Sequence, residues 1–178
     1  KHFRSQITLL DMAAPTPDAE VALWELLASV DLIEMIKAPK VDPATPLPWA
    51  VEDPRVVKFT RHIDLGWLRI LDVKKAMAVR GWDHQGSVTF HVVDPMGYAE
   101  GTWQVDVEAP GAPATVTKVD DSTDAATLDV AALGSLYFGM GRGFSLAAAH
   151  RITGTDEQIA AVDRMFSTVD VAHNISEF

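Results

Sequence analysis

The 178-residue chain is 48% hydrophobic, enough for a packed core, and its 25 acidic against 15 basic residues give a formal net charge of -10. That balance disfavours a nucleic-acid backbone as partner and favours cationic ligands. It has no cysteine, which excludes disulfides, thiolate catalysis and thiolate metal sites. No apolar run approaches the roughly 20 residues needed to span a bilayer, and Lys1-His2-Phe3-Arg4 is not followed by a signal-type apolar core.

The chain therefore reads as soluble, and as a piece of a longer protein, because it opens at Lys1 and enters strand-like Gln6-Ile7-Thr8-Leu9-Leu10 almost at once. Thr16 is placed to cap a helix with Pro17 at its first position and Asp18 near the positive dipole end, and Val21, Trp24, Leu27 and Ala28 supply one apolar face. Leu32-Ile33-Glu34-Met35-Ile36 follows as a strand, completing a β-α-β segment. Five prolines between Pro39 and Pro54 interrupt regular structure, and Leu47-Pro48-Trp49 is expected to pin this connector by burying an indole.

Beyond the connector, Val57 to Ile63 and Trp67 to Leu71 read as strands around Asp64-Leu65-Gly66, and Asp72 can cap a short helix ending at Gly81. The clearest alternation follows: Val88, Phe90 and Val92 with Thr89 and His91 between them, then Trp103, Val105 and Val107 with Gln104 and Asp106 between them. Pro95-Met96-Gly97 suits a hairpin connection, and Ala114 to Val119 offers a third strand, giving a sheet with one wet face and one buried face. Val130, Leu133 and Tyr137 share a helical face that ends at the glycines after Phe138. Ser145 to Arg151 forms a second helix, and Thr155-Asp156-Glu157-Gln158 is a capping-box pattern opening a third with Ile159, Val162 and Phe166 inward. After Ser167 the pattern is lost.

Few residues announce chemistry by themselves. Gly139-Met140-Gly141-Arg142-Gly143 lacks the Walker Lys-Ser/Thr and follows a helix, so it reads as a helix stop and turn rather than a phosphate loop. The six histidines show no metal-ligand spacing, Ser135 and Ser145 lack a nucleophile-elbow context, and the five tryptophans read as core. Asp120-Asp121 reads as part of a solvated turn.

Several segments in order carry a resemblance: Ala22-Leu23-Trp24 with Val30-Asp31-Leu32, Pro46-Leu47-Pro48-Trp49, Asp64-Leu65-Gly66-Trp67-Leu68-Arg69-Ile70, the stretch from Leu128 to Ile152, and the terminal Glu177-Phe178. Together these resemble the Eis (enhanced intracellular survival) acetyltransferases of actinobacteria, mycobacteria among them. The resemblance implies an α+β fold in which a mixed or antiparallel sheet packs with helices, similar to sterol carrier protein type 2, over residues 61–178. A partial GNAT-like β-α-β segment, the end of a second GNAT-like region, would occupy residues 1–60.

The implied function is that of the C-terminal portion of an acetyl-CoA-dependent N-acetyltransferase acting on amines such as aminoglycosides or lysine side chains. The terminal carboxylate of Phe178 would serve as general base, and Asp64 and Glu177 would line an acidic substrate pocket. The acetyl-CoA site and the general-acid tyrosine would belong to an N-terminal GNAT domain outside this sequence, so the fragment alone is expected to be inactive, with no metal. The intact protein would be a cytoplasmic homo-oligomer, a hexamer, with secretion or host-directed roles in pathogenic relatives. Ile63 stands where the family can carry a polar pocket residue, and Val171 to Ile175 departs from the family pattern. Two alternatives remain at this point: a lipid-binding sterol-carrier-like module with an apolar cavity between the Trp103-Val105-Val107 face and the helix of Leu133 and Tyr137, or an assembly domain without catalytic role.

Overall fold

The computed structural model describes residues 5–64, 66–120, 124–170 and 172–174. They form two compact units, Lys1–Leu65 with His173–Phe178, and Gly66–Ala172.

In the first unit β1 (Ser5–Thr8) pairs in parallel with β2 (Ile33–Lys37), and α1 (Pro17–Ala28) connects them, which is the β-α-β segment expected. The Thr16 side chain accepts from the Ala19 amide at 3.2 Å, so the cap and Pro17 start the helix as the sequence dictates. Trp24 is the buried residue of α1, and its indole N–H donates to Glu20 at 3.2 Å. Glu20 also accepts from the Thr45 hydroxyl, which ties the proline-rich connector down through a polar contact. The connector carries a one-turn α2 (Leu47–Ala50) and a 3₁₀ turn at Pro54–Val56. Trp49 is 86% exposed, so the expected indole anchor is absent within the described unit; Pro46 and Pro48 hold the turn by their fixed φ instead.

The second unit is built on a five-stranded mixed sheet in the order β5-β4-β3-β6-β7. β3 (Gly86–Val93) and β4 (Gly101–Val107) form the expected antiparallel hairpin, with Phe90 opposite Trp103 and Val88 opposite Val105, and β5 (Thr115–Val119) extends it. On the other side β3 pairs in parallel with β6 (Ala126–Asp129), whose outer edge carries the two-residue β7 (Ile152–Thr153). Neither β6 nor β7 was legible as a strand. Val116, Val105, Val88, Phe90, Val92, Ala126, Leu128 and Ile152 share one face across the register. All are buried in one core with residues of α3 (Val73–Val79), α4 (Val130–Tyr137) and α6 (Asp156–Phe166). The side chains of Ser87, Thr89 and His91 alternate to the wetter face.

Caps define the helices. Asp72 accepts from the Lys75 amide, Asp129 from the Ala132 amide, and Thr155 with Gln158 completes a capping box on α6. The second helix of the C-terminal half, α5, is Gly143–Ala148, starting two residues and ending three residues before the expected Ser145 to Arg151. At the centre of the core the Phe166 ring meets Trp82 and Phe90 edge-on, at centroid distances of 5.2 and 5.6 Å. Arg80 lies over both Trp82 and Phe166, at 4.6 and 5.3 Å, and its guanidinium donates to the carbonyls that end α4 and α6, Tyr137 at 2.9 Å and Phe166 at 2.7 Å. Burial lowers the pKa of this guanidinium from its ordinary value.

The stretches read as strands at Val57 to Ile63 and Trp67 to Leu71 have no strand partner among the described residues. Residues 66–71 instead run as an extended strap over the second unit. Ile70 is buried in the core, Arg69 pairs with the buried Asp94, and the Leu68 carbonyl crosses α4 at Gly134, where an added Cβ would lie 2.9 Å from that oxygen. Trp67 stands 93% exposed at the start of the strap, so two of the five tryptophans expected in the core, Trp49 and Trp67, are outside it.

Candidate functional site

Asp64 sits at the end of the extended stretch that closes the first unit, and residues 61–64 are all exposed. The carboxylate is therefore available to a solvent-borne cation. Glu177 and Phe178 lie outside the described residues. The last described part of the tail belongs to the same unit as Asp64: His173 Nδ1 lies 3.5 Å from Asp42 Oδ2. Of the three residues expected to form the site, the structure thus places only Asp64.

The glycine loop after α4 is a turn. The Gly139 amide donates to the Leu136 carbonyl at 2.9 Å, and Gly139 has φ of 70°, a left-handed conformation that ends the helix without steric cost. An anion at the start of α5 would have to displace one that is built in. Asp163 accepts there from Arg142 through two bonds, Nε to Oδ1 at 3.1 Å and Nη2 to Oδ2 at 2.6 Å. Those bonds, with the Gly143 and Phe144 amides, hold the Asp163 carboxyl below the usual carboxylate range, while Asp163 raises the Arg142 pKa. The Gly143 and Phe144 amides, which a pyrophosphate at this point would need, are already taken by Asp163.

The histidines divide among separate structural duties. His91 Nδ1 faces the Thr102 hydroxyl at 2.9 Å and its Nε2 lies 3.7 Å from Glu100. His84 Nε2 lies 3.0 Å from the Ser167 hydroxyl. The Ser167 hydroxyl also donates to the Arg164 carbonyl at 2.8 Å, which ties it to the end of α6. Among the described residues no group of three His, Asp or Glu could hold a metal ion.

The residues proposed to bound an apolar cavity are packed together instead. Of those residues Val105, Val107 and Leu133 are buried in the core cluster, and Trp103 and Tyr137 pack half-buried against it. A depression of about 260 Å³ opens on the wet face, lined by Ser87, Val88, Thr89, Asp124, Glu157, Gln158 and Ala161. That is below the usual range for a small-molecule pocket.

Compared with known proteins, residues 73–173, more than half of the chain, match the sterol carrier protein domain, and residues 1–70 match the acetyltransferase (GNAT) domain. The chain belongs to the sterol carrier protein domain family. Its relatives are Eis-like N-acetyltransferases in which both domain types recur. An uncharacterized N-acetyltransferase of Streptomyces avermitilis is 37% identical over 151 residues, 85% of this chain and 35% of that protein. The N-acetyltransferase Eis of Mycobacterium tuberculosis is 32% identical over 158 residues, 84% of this chain and 36% of that protein. The crystal structure of Eis1 from Mycobacterium abscessus covers 97% of this chain with a TM-score of 0.84 at 28% identity, the match taking in 43% of that chain. This sterol carrier protein domain and its preceding GNAT segment therefore span about a third of the curated relatives they match. The α+β fold and the Eis resemblance expected from the sequence are confirmed by these matches.

The signals for Asp163 as an internal anion and for the strap were absent from local patterning. Asp163 lies 21 residues from Arg142 in sequence and 20 from Gly143, separations at which neither charge spacing nor periodicity reports a contact.

Proposed function

We propose that this chain is the C-terminal portion of an acetyl-CoA-dependent N-acetyltransferase that acts on amines, aminoglycosides or lysine side chains, with the acetyl-CoA site in a GNAT domain preceding it. The observation that carries this reading is the ordered match of a GNAT segment and a sterol carrier protein domain to Eis-like relatives over most of the chain. In the reading, Asp64 and Glu177 attract the cationic amine and the terminal carboxylate of Phe178 takes its proton as it attacks the thioester carbonyl.

An exposed Asp64 and a tail that rejoins its unit at His173 support the grouping. Phe178 is the fourth residue beyond Asn174, a reach of at most about 14 Å. A terminal carboxylate with an ordinary pKa of roughly 3.5 is a weak base near neutrality, so it must be desolvated in the closed site to act.

The decisive experiment moves the carboxylate without removing the ring. Deleting Phe178 leaves a new terminal carboxylate on Glu177, whereas appending two glycines carries the carboxylate about 7 Å away. In a chain that joins this sequence to a complete GNAT domain, the extension should lower aminoglycoside acetylation about 100-fold or more. Asp64→Asn should raise KM more than it lowers kcat. An extended protein with the full rate removes the terminal carboxylate from the mechanism, and transfer catalysed by the 178-residue chain alone removes the division of labour.

A further inference from the structure

The tail meets a fixed point of the first unit at His173. Asp42-Pro43-Ala44-Thr45 is a tight turn in the proline-rich connector, with Pro43 at the position where its fixed φ suits the bend. The Thr45 amide donates to the Asp42 carbonyl at 3.0 Å, and the Ala44 amide donates to Asp42 Oδ1 at 2.8 Å. A turn closed through its own side chain holds the carboxylate in one orientation, and Oδ2 faces His173 Nδ1 at 3.5 Å. Thr45 is itself buried, and its hydroxyl donates to Glu20, the carboxylate that also accepts from the indole of the buried Trp24. A hydrogen-bonded network therefore runs from the buried side of α1 through Glu20, Thr45 and Asp42 to the tail.

As a source of stability the Asp42–His173 pair contributes little, because both side chains are more than a third exposed. Its effect is on reach and direction. Upstream, the Val169 amide donates to Asp83 at 2.8 Å within the second unit, and Phe178 is the ninth residue beyond Val169 but the fifth beyond His173. Anchoring at His173 shortens the tether from about 32 Å to about 18 Å at full extension. The local concentration of a tethered group falls roughly as the −3/2 power of tether length, so the shortening alone raises that of the terminal carboxylate about 2.4-fold. Fixing the direction in which the last residues leave raises it further.

We infer that Asp42 and His173 are positioning residues for acetyl transfer: the pair sets the point and the direction from which the last five residues depart, and so delivers the terminal carboxylate of Phe178 to the substrate amine. These roles rest on the acetyl-transfer reading. In that reading the amine nitrogen bonds to the thioester carbonyl carbon, its proton goes to the carboxylate, and the thiolate of the coenzyme leaves. Neither Asp42 nor His173 touches a reacting atom; both act through where the carboxylate stands.

Three variants separate the anchor from the fold. His173→Ala removes the ring, and His173→Asn keeps a nitrogen donor near the place of Nδ1. Asp42→Ser keeps an oxygen to accept from the Ala44 amide but withdraws the one that faces His173. In a chain that joins this sequence to a complete GNAT domain, His173→Ala and Asp42→Ser should lower kcat about three- to tenfold with KM for an aminoglycoside and Tm unchanged, while His173→Asn keeps most of the rate. Both losses should vanish in the protein that carries two appended glycines, because its carboxylate is already displaced. In the 178-residue chain alone, the amides of residues 172–174 should exchange with solvent about threefold or more faster in Asp42→Ser. Full kcat in His173→Ala beside a slow glycine-extended protein, losses that add to that of the extension, or unchanged amide exchange each overturn the positioning roles and leave the acetyl-transfer reading standing. A full rate in the glycine-extended protein overturns the terminal carboxylate as base, and these roles with it.

Discussion

Replacing Gly134 by alanine tests the strap directly, because two physical effects of opposite sign meet at that position. Gly134 lies inside α4, where alanine is favoured over glycine by about 1 kcal/mol through backbone entropy. The added methyl would lie 2.9 Å from the Leu68 carbonyl oxygen and 3.8 Å from its carbon. The neighbour is backbone, and it cannot swing aside freely: Ile70 is buried two residues on, and Arg69 between them is paired with Asp94. Relieving such an overlap costs about 1–3 kcal/mol, so the net effect is a loss of about 1 kcal/mol. For a domain of this size that is a fall in Tm of about 4–8 °C. Thermal melts followed by circular dichroism distinguish the outcomes, since helix propensity acting alone would raise Tm by a similar amount. A raised Tm for Gly134→Ala would refute the strap. A further check is coupling: in an Ile70→Ala background, where the strap has lost its anchor, the penalty at position 134 should shrink or reverse.

Two other outcomes follow from caps and carboxylates. Asp94 is held below the usual carboxylate range first by the Ala99 amide, then by the Met96 amide and Arg69; Asp129 and Asp163 are lowered chiefly by hydrogen bonds from Arg151 and Arg142. Groups whose folded pKa is depressed contribute stability that is complete above their unfolded pKa, about 3.9, and is lost as pH falls toward the folded value. Urea midpoints should therefore fall steeply below about pH 4, and the deficit of Asp94→Asn relative to the unaltered chain should be largest near neutrality and shrink below that pH. A constant deficit from pH 7 to 3 would count against an ionised Asp94. Thr155→Ala removes half of the α6 capping box and should cost about 1 kcal/mol in urea titration; an unchanged midpoint would mean that the cap is dispensable.

Where structure is decided within a few residues, the sequence disclosed it. Thr16-Pro17, Asp72 and Thr155 with Gln158 announce helix starts because a cap satisfies amides three residues away. Val88-Phe90-Val92 announces its strand because alternation over eight residues outlasts chance. β6 and β7 did not, since four residues and two carry no period, and each becomes a strand only through β3 and β6 respectively. The opposite error occurred at residues 57–63 and 67–71, where β-branched and aromatic residues suggest strands but no edge among the described residues receives them. Trp49 and Trp67 show the same limit: hydrophobicity predicts a preference for burial, while geometry decides which indoles obtain it. Asp64 has no local signature at all, being one exposed acidic residue among many, and it was singled out only through the family resemblance.

Arg80 joins parts of the chain that are far apart in sequence. Its fork ends α4 and α6 from a position just after α3, 57 and 86 residues away respectively. The indole of Trp82 lies beneath that guanidinium and beside Phe166. Emission from Trp82 is consequently a gauge of whether the last helix has docked. A polypeptide stopped short of Phe166 during synthesis would leave Arg80 without one carbonyl and Trp82 open to water, so the domain can close only after its far end has emerged.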